Sequence, residues 1–181
     1  MDFITQHYIY IIFFIIIISI FAGIFFSKHH HHYKIKQGER ILKKIRTFQG
    51  ENIDERIINY LRKINPFTFE ELLLSLFKEN GCKIKRNKRY TGDGGIDGRF
   101  KYNGKWYLIQ AKRYTNYIKS SDVSKFSTLC QTHKVRGLFI HTGKVGKASN
   151  QIVANNPDIM IITPQDLITF IKTGRLQITK E

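Results

Sequence analysis

The run from Tyr8 to Phe26, YIYIIFFIIIISIFAGIFF, constrains this chain more than any other feature, because it is apolar apart from Ser19 and two tyrosine hydroxyls and carries no charge. A helix of this length, at about 1.5 Å per residue, matches the roughly 30 Å hydrocarbon layer of a bilayer. Residues 1–27 are therefore expected to form a transmembrane anchor, with Tyr8 and Tyr10 at one interface. A cleaved leader needs a basic start and a shorter apolar stretch. Here the start holds Asp2 and no base. Lys28, Lys34, Lys36, Arg40, Lys43 and Lys44 follow. The positive-inside bias then predicts a single pass with the N-terminus outside and everything after it in the cytoplasm.

All 30 Lys and Arg, but only 13 of the 14 acids, lie beyond residue 27. A domain so basic is drawn to polyphosphates or to an anionic membrane surface. Cys82 and Cys130 lie far apart without metal-ligand spacing, which fits reduced thiols in ordinary structural roles. His29 to His32 form a tetrad, but four adjacent histidines on one segment fix no coordination geometry, and a polar juxtamembrane stretch is the simpler reading. Between Lys34 and Asn65, Ile35, Ile41, Leu42, Ile45, Ile57, Ile58, Leu61 and Ile64 recur at helical spacing, with Gly50 interrupting. Residues 28–65 read as a basic linker of two short amphipathic helices packing on the following domain or on the bilayer surface.

Residues 66–181 have room for one domain. Thr68 and Glu71 have capping-box spacing ahead of Leu72, Leu73, Leu76 and Phe77, and Gly81 stops the predicted helix. Strands are predicted over 82–87, 96–102 and 105–112, the last two joined by Asn103–Gly104, the strongest short hairpin signal. Asp122 is expected to cap a helix through Val123, Phe126 and Leu129. A strand over 135–141, a helix over 148–154, a strand over 159–162 and a helix opened by Pro164 complete the order αβββαβαβα. That alternation predicts an α/β fold, a mixed sheet with helices on both faces.

A two-residue turn at Asn103–Gly104 pairs Tyr102 with Lys105, and the same register sets Asp97 opposite Gln110. The period of two puts Lys112 on the face of Gln110. A carboxylate, a carboxamide and an ammonium converge. Hydrolysis of a phosphodiester uses such a set: oxygen ligands for a divalent cation and a group that orients the attacking water. On geometry alone, an ordinary cross-strand ion pair between Asp97 and Lys112, worth at most about 1 kcal/mol, fits equally well.

Phe69–Glu70 on the first helix of the domain, Gly92–Asp93–Gly94–Gly95–Ile96–Asp97, and Gln110–Ala111–Lys112–Arg113–Tyr114 together resemble the Mrr-type restriction endonucleases, a branch of the PD-(D/E)xK nucleases. The similarity runs from about residue 66 to 171 and takes in His141–Thr142–Gly143. It implies a restriction-endonuclease-like fold, dependence on Mg²⁺ with Mn²⁺ as a substitute, and cleavage of duplex DNA. It further implies Asp97 as metal-binding acid, Gln110 where relatives carry Glu or Asp, Lys112 as catalytic lysine, Glu70 as an assisting acid and the Ala111 carbonyl as a ligand. Gly92, Gly94 and Gly95 then permit a turn and close approach of DNA, with Asp93 in a secondary place.

From residue 81 to 150 there are sixteen Lys or Arg and three acids. Lys83, Lys85, Arg86, Lys88, Arg89 and Arg113 are the candidate DNA contacts. The combined expectation is a nuclease at the inner membrane of a bacterium, held by residues 8–26, with a homodimer suited to double-strand cutting. Two other classes remain open: a tethered DNA-binding module without catalysis, and a membrane-surface protein binding anionic lipid.

Overall fold

The computed structural model describes residues 3–87, 94–176 and 178, with the side chains of 3–9 and 22–30 left aside. Helix α1 runs without interruption over Phe3–Arg46. Its described apolar side chains, from Tyr10 to Phe21, are exposed apart from half-buried Ile17. They cover about 18 Å of helix. Among the described residues no helix is long and apolar enough to cross a membrane.

The C-terminal part of α1 belongs to the domain. Ile41, Leu42 and Ile45 enter the main core beside Ile57, Ile58 and Leu61 of α2 (Ile53–Lys63) and the apolar face of α3 (Pro66–Glu79). The stretch 28–65 is thus the end of one long helix followed by α2, rather than two short helices. The basic flank does not break the helix because Lys, Arg and Glu are good helix formers. Gly38 lets α1 close on α3: a Cβ there would lie 2.7 Å from the Leu72 nitrogen. Thr68 Oγ1 donates to Gln37 Oε1 at 2.8 Å, and Arg46 pairs with Glu79 at 2.8 Å. Gly38 beside Leu72 and Arg46 beside Glu79 make the two helices run parallel.

The start of α3 differs from the expected capping box. Asn65 is the cap, its side chain accepting from Phe67 N at 3.0 Å and from Thr68 N, with Pro66 at the first helical position. Proline's fixed φ favours that position. Thr68 and Glu71 therefore lie inside the helix and are buried.

Strands β1 (Lys83–Lys85), β2 (Gly98–Tyr102) and β3 (Lys105–Lys112) are antiparallel neighbours. Asn103 (φ 45°) and Gly104 (φ 78°) make the turn. After α4 (Ser120–His133), β4 (Gly137–His141) lies parallel to β3. After α5 (Lys147–Ala154), β5 (Ile159–Ile162) lies parallel to β4, and α6 (Pro164–Thr173) follows. The sheet order is β1-β2-β3-β4-β5. From α3 onward this is the predicted order of elements, although β1 is shorter than 82–87 and β2 begins at Gly98. Lys119, not Asp122, caps α4.

Alternation divides the sheet between two cores. Tyr107, Ile109 and Ala111 of β3 face the core shared with α1, α2, α3 and α6, where Phe77 stacks on Phe100 at 4.1 Å. Leu108 faces the second core, with Val123, Phe126 and Cys130 of α4 and Phe139. A central strand covered on both faces is buried continuously, and β3 is so from Tyr107 to Ala111.

Candidate active site

Site residues collect where β3 ends, β2 begins and α3 makes its first turns. Pairing of Gly98 with Ile109 and Tyr102 with Lys105 reproduces the register set by the turn. Asp97 departs from it by one residue: its N–H donates to Ile109 O at 2.8 Å, the residue already paired with Gly98. The strand thus opens in a bulge-like offset, a device that re-aims a side chain next to a site. The Asp97 carboxylate then accepts from the Ala111 N–H at 2.6 Å. That bond straddles Gln110 and ties the acid to the strand that carries Lys112.

Glu70, half-buried on α3, completes the cluster. Burial, then the charges of Asp97 and Glu71, push its carboxyl up to about 8, against the pull of Lys112 and Arg113. Desolvation is the larger cause, and the neighbouring acids add to it. Glu70, Asp97 and Lys112 therefore share one electrostatic site, although they come from three elements.

Gln110 is buried, and its Oε1 has no hydrogen-bond partner among the described residues. Its Nε2 lies against Gly95, where a Cβ would stand 2.7 Å away and where φ is +98°. The backbone requires glycine there, and a side chain would displace the Gln110 amide. Gly94 also has positive φ, while Gly92 and Asp93 lie outside the described residues.

The candidate DNA contacts separate. Lys83 and Lys85 are exposed on β1, whereas Lys88 and Arg89 lie outside the described residues. Arg86 is turned inward, donating to buried Glu71 at 2.6 Å and to Ser75 at 3.4 Å. Arg113 donates to the carbonyls of Arg62 and Ile64 at the end of α2. Arg86 follows the exposed bases Lys83 and Lys85 and Arg113 follows half-exposed Lys112, while the buried acid and helix-end carbonyls that hold them come from elsewhere in the chain. Arg62 answers in kind, donating to Tyr114 O at 3.1 Å and Thr142 O at 2.7 Å. This reciprocal pair pins the end of β3, next to Lys112, onto α2. No local pattern pointed to Arg62.

His141 stands level with Lys112 on the neighbouring strand. It is fully buried, its Nδ1 accepts from Gly143 N at 3.1 Å, and burial lowers its pKa to about 4. The ring is neutral. In the His tetrad, His31 pairs with Glu71 at 3.5 Å.

An acid at the offset start of β2, a Gln-x-Lys segment on β3 and an acid on α3 thus lie at one end of a mixed α/β sheet. Residues 61–171 match the family of Mrr catalytic domains described as restriction endonuclease, and the chain belongs to that family. Its domain is accordingly a restriction-endonuclease-like domain. Among solved structures it is similar to restriction endonuclease FokI, at 12% identity and a TM-score of 0.46, over 76% of this chain and 31% of that one. The chain thus spans about a third of that protein. No curated protein matches it.

Proposed function

We propose that this protein is a metal-dependent DNA endonuclease. The observation that carries the reading is the meeting of Glu70, Asp97 and Lys112 in one field, with Asp97 tied to Ala111. The donor set fits a hard divalent cation such as Mg²⁺, with Mn²⁺ as a substitute. Asp97 and Glu70 are anionic oxygen donors, the Gln110 Oε1 is a buried oxygen without a partner, and the Ala111 carbonyl is the further donor. Among the described residues no three His, Cys, Asp or Glu converge on a metal-holding cluster. When bound, the cation supplies neutralisation of the charge that develops on the scissile phosphate.

The chain's own residues do the rest. Asp97 is held in place by Ala111, so its carboxylate is preorganised. Lys112 orients the attacking water and meets charge on the phosphate. Glu70, its carboxyl raised by burial and by Asp97, holds its proton facing Asp97 and would be a ligand for a bound cation. The water oxygen bonds to phosphorus and gives up a proton, the P–O bond to the leaving group breaks, and the leaving oxygen takes up a proton, so that one water is consumed overall.

The full reading places the enzyme at the inner membrane of a bacterium, in restriction of foreign or modified DNA or in DNA processing, as a homodimer when both strands are cut. The exposed apolar surface from Tyr10 to Phe21 supports burial in a bilayer, since large contiguous apolar patches mark such contacts. Full-length protein that stays soluble on fractionation would overturn that part.

The activity is tested with supercoiled plasmid, methylated and unmethylated, in Mg²⁺, Mn²⁺ or EDTA. Cleavage is expected with metal only, and Asp97→Ala or Lys112→Ala should reduce it by at least about a hundredfold with the fold intact. The neutral Gln110 favours one rival, a DNA-binding module without catalysis. Metal-independent binding with no cleavage, unaltered by either substitution, would establish it. Binding to anionic vesicles without DNA affinity would instead favour a lipid-surface protein.

A further inference from the structure

The first antiparallel pair of the sheet carries an unusual arrangement of like charges. Lys83 pairs directly with Lys101, and Lys85 with Arg99. Directly opposed residues share a face, and residues two apart on a strand share it too, so all four bases stand together. Between them, Ile84 pairs with Phe100 on the other face, which belongs to the main core. The register of the four is thereby fixed, because a slip of one would bury them and expose Phe100.

Lys83, Lys85 and Lys101 are exposed, and Arg99 is half-buried. Among the described residues none of the four side chains takes part in a side-chain hydrogen bond or a salt bridge. Opposed like charges destabilise a sheet, and here two such pairs are adjacent. The sequence from residue 80 to 92 contains no acid at all. An arrangement that lowers stability, and whose side chains have no ion-pair partner among the described residues, calls for an external anion.

Position and spacing identify that anion. Arg99 lies two residues along the chain from Asp97, so the face begins close in sequence to the candidate active site. Bases two apart on a strand are about 6.8 Å apart, and neighbouring strands about 4.8 Å. Four cations on such a grid meet a chain of phosphates better than a single small anion. We propose that Lys83, Lys85, Arg99 and Lys101 form a phosphate-tracking ladder that guides the DNA backbone into the site. The proposal rests on the DNA reading above, and it adds Arg99 and Lys101, which sit in a strand of alternating charge and gave no signal as binding residues until their pairing was seen.

The test uses the full chain and a fluorescent duplex, with binding measured in EDTA so that cleavage plays no part. The variants are Lys101→Gln, Lys83→Gln with Lys101→Gln, and Lys85→Gln with Arg99→Gln. Each removed phosphate contact should weaken binding about eightfold at 0.1 M salt and reduce the slope of log K against log salt by about 0.9. The same double variants should melt about 1–4 °C higher, because opposed like charges are relieved. Unchanged DNA affinity and slope would overturn the ladder, as would variants that melt lower. Loss of binding to phosphatidylserine vesicles with DNA affinity unchanged would also overturn it and assign the face to lipid. A wild type that binds through the ladder but never cuts would refute the nuclease reading and leave the ladder standing.

Discussion

Glu70 makes folding proton-linked. Its carboxyl, raised to about 8, still holds a proton in the native state over a range where the unfolded chain, at the ordinary value of 4.5, has lost it. The native state then binds more protons than the unfolded one, so stability falls as pH rises from about 4.5 towards 8. Melting temperatures in EDTA should decline across that window, and Glu70→Gln should flatten the decline. An identical slope in the variant would assign the linkage to another group. His141 has the opposite sign: a pKa lowered to about 4 means protection is lost as pH falls below 6.5. At Gln110, a carboxylate should strengthen what the amide does weakly. Gln110→Glu is expected to tighten Mg²⁺ binding by about tenfold, since affinity follows ligand charge. Calorimetry without DNA reads this directly, and weaker binding would remove Gln110 from the ligand set.

Elements act here through their contacts. Helices α1 and α3 approach closely only because Gly38 lacks a side chain over the Leu72 backbone. Gly38→Ala should force them apart and cost about 1–3 kcal/mol, the usual range for overpacking. That corresponds to roughly 2–12 °C in melting temperature for a chain of this size. Because α3 carries Glu70, turnover should fall further than the lost stability accounts for, measured well below the melting range. A stable variant with normal turnover would show that α1 does not position α3. The element order after Pro66 was legible because amphipathic period, Asn-Gly and Pro-initiated helices are local signals. The cap at Asn65 was not separated from Thr68 by pattern, since both residue types cap helices and only Pro66 decides between them.

The whole molecule is strongly basic, with net charge +16, and its field rather than any one contact should dominate encounter with DNA. If five or six phosphates are engaged, log K should fall with log salt at a slope of about −5. A slope near zero would mean that the charge serves another partner, such as an anionic leaflet. The same charge excess hid which bases do what. Lys83 and Lys85 face solvent, while Arg86, in the same run, neutralises buried Glu71.

The sequence by itself determined what depends on short range: the turn and register that bring Gln110 and Lys112 to the end of β3 beside the start of β2, and the helical, apolar character of the run from Tyr10 to Phe21. Tertiary structure alone decided what depends on distant parts of the chain. It offset Asp97 by one residue so that its carboxylate meets Ala111, and it raised Glu70 by enclosing it with Asp97. It turned Arg86 and Arg113 from candidate DNA contacts into internal ties, and it aligned Arg99 and Lys101 with Lys85 and Lys83. The register of the hairpin carrying Gln110 and Lys112 was legible because strand period is local, whereas the offset of Asp97 from its expected place opposite Gln110 was not. The electrostatics of the site were not, because burial and charge act through space and the chain order does not record which helix closes over the site.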